Sequence, residues 1–259
     1  MQTIAVSNQK GGCGKTTTAI NLSAALAEAG RRVLLVDLDP QGHATLGLGH
    51  VPRRSERTVY HLLVNEMSHV ADAPVGTGIS RLDLIPGDAR VATAEWDSGS
   101  ILGKELILKE QLRSLADRYD TCIIDSAPSG GLPVTGALVA STGVLIPVQA
   151  RANALTGPGR LLDTIQQLRQ RFWPCSVAPL GLLLTFVEGR TKLSRRVEHD
   201  VRERFAALVF DTTIRRTIKL AEAPKEGCSI LSYAPRSAAA GDYRALAREV
   251  LARLDAAVP

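Results

Sequence analysis

The segment that most constrains the fold is a glycine-rich loop between an apolar run and a helical pattern. The apolar residues 3–7 lead into NQKGGCGKTT at 8–17, and residues 15–29 are rich in alanine and leucine up to Gly30, where a helix would end. Glycine lets backbone N–H groups turn towards phosphate oxygens, and a helix presents its positive N-terminal end to the same anion. This order of strand, loop and helix predicts a phosphate-binding loop.

The loop departs from the common phosphate-loop pattern GxxxxGK[ST] at one position. The pattern needs glycine at position 9, which is Gln9 here, but it ends as expected in Gly14-Lys15-Thr16. Lys15 is predicted to reach the β- and γ-phosphates and the Thr16 hydroxyl to ligate Mg²⁺. The residues predicted to contact the nucleotide in this loop are Lys10, Gly11, Gly12, Cys13, Gly14, Lys15, Thr16 and Thr17. Cys13 holds the variable position, where packing is favoured over redox chemistry.

Three carboxylates follow two other apolar runs. The sequence VLLVDLDP places Asp37 and Asp39 after one run, and CIIDSAP places Asp125 after another. In open α/β folds, ligands bind at the carboxyl ends of the parallel strands. A carboxylate after four apolar residues fits the position that holds Mg²⁺ directly or through water. Single aspartates at strand ends are usually turn residues, but three of them beside a phosphate loop predict a metal and nucleotide site.

Short apolar runs alternate with helical patterns along the chain. The runs lie at 3–7, 32–37, 82–85, 121–125, 143–146 and 181–185. Near-continuous hydrophobicity favours strands that are buried on both faces. The pattern therefore predicts an α/β fold with a doubly wound, mostly parallel sheet and helices on both faces. No repeat or long linker divides the chain, so we expect one domain over residues 1–259.

The positive charge is concentrated in one part of the chain. The net charge is +5, and residues 190–219 hold nine basic and four acidic residues, which equals the whole excess. Such a segment indicates either a polyanion partner or a solvated helix face. The basic residues predicted to contact DNA are Arg190, Lys192, Arg195, Arg196, Arg202, Arg215, Arg216 and Lys219.

A helix over residues 191–208 would separate these charges from an apolar stripe. Leu193, Val197, Val201, Phe205 and Leu208 recur at helical spacing and are predicted to face the core. The basic residues fall on another face, where a row of charges can follow a phosphate backbone. The row has no base-reading pattern, so contacts with phosphate and little sequence preference are expected.

Composition excludes several other classes of protein. Aromatic residues make up 4% of the chain, too few to predict a stacking platform for single-stranded nucleic acid. The four cysteines include no CxxC pair, and the five histidines have no metal-ligand spacing. No apolar run approaches the roughly 18 residues that span a bilayer, and the N-terminus lacks the basic region of a signal peptide. A soluble, cytoplasmic protein is expected.

The sequence as a whole resembles the ParA/Soj partitioning ATPases. The resemblance is carried by KGGCGKTTTAINLSAAL, VLLVDLDPQGHAT, LDLIPGD, YDTCIIDSAP, GVLIPVQ, GLLLT, RTKLSRRVEHDVRERF and IRRTIKLAEAP. A second lysine before the usual one, here Lys10, marks the deviant Walker A group to which that family belongs. The middle motifs are shared with MinD-like relatives.

The resemblance implies a slow ATPase that uses ATP and Mg²⁺. It also implies a homodimer closed by ATP, which binds double-stranded DNA without sequence preference on the nucleoid and is released when a ParB-like centromere-binding protein stimulates hydrolysis. By this resemblance Lys10, Lys15 and Asp39 are catalytic: Lys10 reaches the partner's nucleotide, and Asp39 orients or activates the attacking water. Thr16, Asp39 and Asp125 are the expected metal residues.

The sequence departs from the family pattern in two places. The second switch usually reads D-x-P-P, whereas Ala127 replaces the first proline here. This substitution puts the timing of hydrolysis in question more than the activity itself. Larger members also carry an N-terminal helix-turn-helix extension. This sequence starts at the first strand, so operator-specific autorepression is not expected.

Three rival classes remain open at this point. A MinD-like membrane switch would need an amphipathic anchor, but the stripe of Leu246, Val250 and Leu254 near the C-terminus lacks bulky aromatic residues and is predicted to dock on the sheet. An electron-transfer protein would need cysteines placed to bridge an iron–sulfur cluster, and none follows a switch segment. A nucleotide-locked structural module would keep the phosphate loop without turnover.

Overall fold

The sheet is the central element of the computed structural model, which describes residues 1–53, 56–65, 70–99, 102–128, 130–151, 154–172, 174–189 and 191–256. Within these residues its strands are β1 (Gln2–Val6), β2 (Val33–Asp37), β3 (Val75–Gly76), β4 (Leu82–Ile85), β5 (Thr121–Asp125), β6 (Gly143–Gln149), β7 (Ala178–Val187) and β8 (Ile214–Arg215). The strand order is β3-β4-β2-β5-β1-β6-β7-β8, with β3 antiparallel to β4 and every other pairing parallel.

The helices connect these strands. They are α1 (Lys15–Glu28), α2 (His43–Gly47), α3 (Val59–Leu63), α4 (Ala94–Asp97), α5 (Lys104–Arg113), α6 (Leu132–Ala140), α7 (Thr156–Arg171), α8 (Lys192–Phe205), α9 (Lys219–Glu222), α10 (Ile230–Tyr233) and α11 (Ala238–Ala256). None of the helices in the described ranges is both long and apolar enough to cross a membrane.

The central strands are buried on both faces, as their composition predicts. In β2, Val33 and Leu35 face the core that α1 and α11 cover, whereas Leu34 and Val36 face the core that includes residues of α5. Alternate residues of a strand point to opposite faces, so an unbroken apolar run fits only a sheet with a layer on each side. The prediction of a doubly wound, mostly parallel sheet with helices on both faces is confirmed.

The sheet topology gathers the loops that matter at one edge. In the parallel pairings Asp125 of β5 lies opposite Val6 of β1 and also opposite Asp37 of β2. The carboxyl ends of these three strands therefore finish at the same level. The glycine-rich loop after β1 and the aspartates after β2 and β5 meet there, which is where open α/β folds bind their ligands.

Some elements extend beyond the sequence prediction. β6 continues to Gln149 and β7 runs from Ala178 to Val187, each several residues longer than its apolar run. Residues 50–80, in which the sequence predicts no strand, contain α3 and the short antiparallel edge strand β3 where the structure describes them. Polar and proline residues at strand ends weaken the apolar signal there, although pairing with neighbours keeps those ends in the sheet.

Candidate functional site

The phosphate loop is a tight turn that leads into α1. Gly12 and Gly14 have φ angles of +69° and +89°, a left-handed conformation that side chains other than glycine rarely adopt. Gly14 is the N-cap of α1 and no side chain caps the helix. The first N–H groups of α1 are therefore free to bind an anion. Asn8 braces the loop, since its Nδ2 donates to Pro147 O (2.7 Å) and its Oδ1 accepts from Lys10 N (3.1 Å).

The two lysines of the loop occupy different environments. Lys15 is 7% exposed and its Nζ donates to the carbonyl oxygen of Lys10 at 3.2 Å, so the ammonium lies inside the curve of the loop. Lys10 is exposed on the outside of the loop. Cys13 is buried, its Sγ donates to the same carbonyl of Lys10, and burial raises the pKa of its thiol. A neutral, packed thiol matches the structural role predicted for Cys13.

Asp125 ends β5 with a completely buried carboxylate. It is 0% exposed, and neither of its carboxylate oxygens accepts a hydrogen bond of normal geometry from the described residues. Burial raises the pKa of Asp125 well above its usual range and repulsion from Asp37 raises it further, while the nearby Thr16 hydroxyl partly offsets both. A cation beside this carboxylate would remove most of that penalty.

Mg²⁺ fits the donors at this position. Asp125 and Thr16 supply hard oxygen ligands, and Mg²⁺ typically takes one or two protein oxygens while phosphates and water complete its shell. No cluster of three or more histidine, cysteine or acidic residues that could hold a metal occurs in the part of the chain that the structure describes.

Asp39 lies in the segment between β2 and α2. Its side chain is 13% exposed, and its Oδ1 accepts from Gln41 N at 2.9 Å. His43 Nδ1 is 3.9 Å from Asp39 Oδ2. The carboxylate of Asp39 thus keeps some access to solvent, whereas those of Asp37 and Asp125 have none.

A cavity of about 720 Å³ adjoins the phosphate loop and was missed by sequence reasoning. It is lined by Thr17, Gln149, Arg151, Phe186, Arg216, Thr217, Ile218, Leu220 and Ala221. These residues come from separate segments and share no spacing, so no sequence pattern predicts that they line one cavity. Of these residues, the sequence predicts Thr17 as a nucleotide contact and Arg216 as a DNA contact.

The end of β7 makes direct contacts with the phosphate loop. Thr185 Oγ1 donates to the carbonyl oxygen of Cys13 at 2.8 Å, and both residues are buried. Phe186 has φ of +53°, and its ring lies against Gly14, where a Cβ atom would be 3.2 Å from Phe186 Cζ. A larger residue at position 14 would therefore push against Phe186 as well as strain the backbone.

The basic residues predicted to contact DNA fall into three groups. Lys192, Arg196 and Lys219 are exposed and make no side-chain ion pair within the described ranges, and Arg195, also exposed, donates from Nε to Gly189 O (3.0 Å). Arg190 lies outside the described residues.

The remaining arginines of this set have acidic partners. Arg202 pairs with Glu198 (3.1 Å), Arg215 with Asp242 (2.6 Å) and Arg216 with Glu188 (2.5 Å); these are the ion pairs of the set. Arg202 also donates to the carbonyl oxygens of Phe210 and Asp211. Paired charges attract a polyanion less than free ones, so this part of the basic surface is weaker than the residue count suggests.

The apolar stripe predicted for α8 is correct except at its first residue. Val197 and Val201 are buried, and Phe205 and Leu208 are partly buried. Leu193 is 56% exposed, so its assignment to the core is wrong. It stands in the first turn of α8, where Ser194 is the buried residue because its hydroxyl accepts from Glu188 N (3.2 Å).

Known proteins resemble this chain over nearly its whole length. A protein-family model described as "AAA domain" matches residues 1–175. The chromosome-partitioning ATPase Soj of Thermus thermophilus is 46% identical over 254 residues, which cover 98% of this chain and 97% of that protein. The sporulation initiation inhibitor protein Soj of Bacillus subtilis is 44% identical over 249 residues, covering 96% and 98%.

A solved structure gives the same picture of the fold. The crystal structure described as cobyrinic acid a,c-diamide synthase from Mycobacterium smegmatis, with bound ADP and magnesium, superposes with a TM-score of 0.85 at 36% sequence identity. The match covers 98% of this chain and 96% of that one.

Proposed function

The chain belongs to the Soj/ParA family of partitioning ATPases, and we propose that it is an ATP-dependent dimeric switch in chromosome or plasmid segregation. Its cofactors are ATP and Mg²⁺. In this proposal, residues 1–259 act as one ATPase domain that closes into a homodimer with ATP and then binds double-stranded DNA of the nucleoid without sequence preference. A ParB-like partner stimulates hydrolysis and releases the dimer.

The observation that carries the ATPase proposal is the fully buried carboxylate of Asp125 beside the phosphate loop, which accepts no hydrogen bond of normal geometry from the residues that the structure describes. A fold retains such a costly group when a bound ligand satisfies it. Thr16 lies beside Asp125 and Lys15 points into the loop, so metal and phosphate ligands converge at one place. Together these groups support the binding of a metal–nucleotide complex.

The reaction converts ATP and water into ADP and phosphate, and the protein mainly positions and stabilises charge. Lys15 and the free N–H groups of α1 would hold the phosphates, while Thr16 and Asp125 would hold Mg²⁺. Mg²⁺, when bound, neutralises charge that develops on the phosphate oxygens. Lys15 must then exchange its bond to Lys10 O for a phosphate oxygen.

Asp39 is the proposed group that orients the attacking water. Its carboxylate is partly exposed and its backbone is fixed, because Gly42 N donates to Asp39 O at 2.8 Å. A carboxylate can accept a proton from water while the water attacks the terminal phosphorus. Slow turnover without a partner is part of the proposal, since a partner that stimulates hydrolysis has a role only if the unstimulated rate is low.

Lys10 is proposed to act across the dimer. Its side chain is exposed to solvent, whereas Lys15 is buried within the loop. An exposed ammonium on the loop would meet the nucleotide of a second subunit when two loops face each other. Dimer formation would then depend on a γ-phosphate that both subunits contact.

The cavity beside the phosphate loop is the proposed site of the nucleotide base. Phe186 and Ile218 offer apolar surface, and Gln149 and Thr217 offer hydrogen-bonding groups. Ile218 is 76% exposed, and a planar base beside it would cover apolar area.

DNA binding is proposed to use the free cations of α8 and its surroundings. Lys192, Arg195, Arg196 and Lys219 supply charge that is not neutralised by acidic neighbours. One such patch gives weak affinity at physiological salt, but two patches on one dimer make the second contact intramolecular. This arrangement raises avidity by roughly 10²–10⁴ and couples DNA binding to ATP.

The rival membrane function has weaker support from the fold. Leu246, Val250 and Leu254, the apolar stripe of α11, are buried in the core that includes α1. These side chains would have to leave the core before they could enter a lipid surface. Liposome pelleting with ATP tests this alternative: pelleting with anionic vesicles, without DNA binding, would favour it.

One experiment tests the proposed function as a whole. Purified protein is incubated with Mg²⁺ and ATP, with ADP, or with ATP and a chelator, and phosphate release, light scattering and DNA retardation are measured together. We expect turnover below about 1 s⁻¹, and dimer formation and DNA binding only with Mg²⁺ and ATP. Equal DNA binding in all three conditions would contradict the switch.

A further inference from the structure

We propose that Thr45 is a positioning residue for ATP hydrolysis: it fixes the segment that carries Asp39 by bridging Asp37 to Gly87. This proposal rests on the proposed function, because it assumes that Asp39 orients the attacking water. It concerns a buried hydroxyl that contacts neither the phosphate loop nor the cavity proposed for the base.

The first part of the bridge joins Thr45 to Asp37. Asp37 is 0% exposed at the end of β2, and its Oδ2 accepts from both Thr45 N (2.8 Å) and Thr45 Oγ1 (2.7 Å). Its Oδ1 accepts from Asp39 N at 3.1 Å. One carboxylate therefore holds both ends of the segment between Asp39 and Thr45. Three hydrogen bonds converge on this carboxylate, which makes it an anchor for the segment.

The second part joins Thr45 to the loop after β4. Gly87 N donates to Thr45 Oγ1 at 2.7 Å. The hydroxyl thus donates to Asp37 and accepts from Gly87, so its orientation is fixed in the 1% exposed site of Thr45. The loop can approach only because residue 87 is glycine: a Cβ there would lie 2.9 Å from Asp37 Cγ and 3.1 Å from Gly42 Cα.

The bridge restrains Asp39 without touching the reacting groups. Asp39 is itself one of the two anchored points, and its own carbonyl and Oδ1 accept from Gly42 N and Gln41 N. Loss of the Thr45 hydroxyl would leave Gly87 N without its partner and remove one donor from Asp37. The segment of residues 39–45 would keep the hydrogen bond from Thr45 N to Asp37, but it would be held less firmly at its Thr45 end. Displacement of a catalytic group by about 1 Å can cost 10²-fold in rate.

Three variants separate positioning from general stability. Thr45→Val removes the hydroxyl at nearly constant volume, and Thr45→Ser keeps it. Thr142→Val is the matched control, because the Thr142 hydroxyl also links two segments: it accepts from Thr3 N (3.2 Å) and can donate to Thr3 O (3.0 Å) or Gln2 Oε1 (3.1 Å). Residue 142 precedes β6, at the sheet edge opposite the phosphate loop. The control therefore weakens a comparable bond far from Asp39.

The first measurement is steady-state ATP hydrolysis. We expect kcat of Thr45→Val to fall at least about tenfold, with KM for ATP within about twofold of the parent. Thr45→Ser should restore kcat, and Thr142→Val should leave both constants unchanged. The proposal would be overturned if Thr45→Val kept the parental kcat. It would also be overturned if Thr45→Ser lowered kcat and raised KM.

The second measurement is amide hydrogen exchange of residues 39–46 in the nucleotide-free protein. Exchange in Thr45→Val should be at least about fivefold faster, the effect of roughly one lost hydrogen bond. Parental exchange would overturn the proposal even if the chain proved not to hydrolyse ATP, so its failure is distinct from that of the proposed function. Gly87→Ala presses on Asp37 from the other side; it should also speed exchange, and it decides the question if Thr45→Val does not fold.

Discussion

Asp37 and Asp125 lie opposite each other in the pairing of β2 with β5, and both carboxylates are completely buried. They differ in their partners: Asp37 accepts three hydrogen bonds, whereas Asp125 accepts none of normal geometry from the described residues. The same edge of the sheet thus holds one carboxylate that binds neighbouring segments of the chain and one that we propose binds a ligand. The pKa of Asp125 is raised by burial first and by Asp37 second.

Asp125→Asn should make the ligand-free protein more stable and its ligand response weaker. A carboxyl with a raised folded-state pKa lowers stability as pH rises from its unfolded pKa through its folded pKa. We expect Tm at neutral pH to rise by ~2–4 °C, for about 1 kcal/mol, and this gain to shrink as pH falls and the parent's carboxyl becomes protonated. Thermal melts with and without Mg²⁺–ADP check this, and the magnesium-dependent gain in Tm should disappear.

The control for this stability prediction is Asp163→Asn, which removes an exposed carboxylate on α7. It should change neither Tm nor the response to magnesium. A variant at Asp125 that melts below the parent in the absence of ligand would contradict the unpartnered-carboxylate interpretation.

The two lysines of the phosphate loop should separate binding from dimerisation. Lys15→Ala should abolish ATP binding, because Lys15 is the lysine whose ammonium lies inside the loop, whereas Lys10 is exposed. Lys10→Ala should keep nucleotide binding by the monomer but lose ATP-dependent dimerisation. Fluorescent-nucleotide titration and light scattering measure the two effects, with Lys225→Ala as an exposed-lysine control. Normal dimerisation of Lys10→Ala would rule out its role across the interface.

Asp39→Ala should have the opposite effect to Lys10→Ala. The water would lose its orienting group while the phosphate loop and Asp125 remain intact, so the variant should bind ATP and accumulate as dimer. Removing a single general base typically costs about 10²–10⁴-fold in rate. Phosphate release and size-exclusion chromatography after incubation with ATP check both expectations. Rapid loss of the dimer with parental turnover would show that Asp39 is dispensable.

The DNA surface is best tested at Lys192 and Arg196. Arg190 lies outside the described residues and Arg216 pairs with Glu188, so variants at Arg190 and Arg216 are less informative. Lys192→Ala with Arg196→Ala should weaken DNA binding and reduce the slope of log affinity against log salt by about 3.6, for roughly four phosphate contacts per dimer. ATP-dependent dimerisation should persist.

Lys109→Ala with Arg113→Ala is the matched control for the DNA test. It removes the same charge from α5, a helix that includes no residue of the basic segment. Its salt slope should equal that of the parent. Equal slopes for both double variants would place the DNA surface elsewhere.

The fold was predictable because its signals are local. The run VLLV at 33–36 is apolar at every position and lies before the buried Asp37, and glycine at 12 and 14 marks a turn that needs positive φ. Lys15 and Asp125 could be predicted to share one site because the phosphate loop follows the end of β1 and Asp125 ends β5. Parallel strands bring such ends together whatever residues lie between them.

Other features depend on contacts between distant segments and leave no local pattern. The pairing of Arg216 with Glu188 joins the ends of two strands, and neither residue reveals the other in the sequence. Leu193 has the spacing of a core residue, but the first turn of α8 is oriented by the contact between Ser194 and Glu188. Phe186 adopts a positive φ that nothing in an apolar strand predicts. Tertiary packing sets all of these.

The hydrogen bond from Thr185 to Cys13 limits how freely segments of this chain could be exchanged with those of a relative. β7 holds the phosphate loop through this bond and ends at Val187. The carbonyl of the next residue, Glu188, accepts from the Thr191 hydroxyl that caps α8. A graft of α8 alone would therefore join a foreign helix to a strand end that is fitted to this particular loop. The end of β7 and α8 should therefore be exchanged together. Recombination that separates them would disturb nucleotide binding as well as the charge of α8.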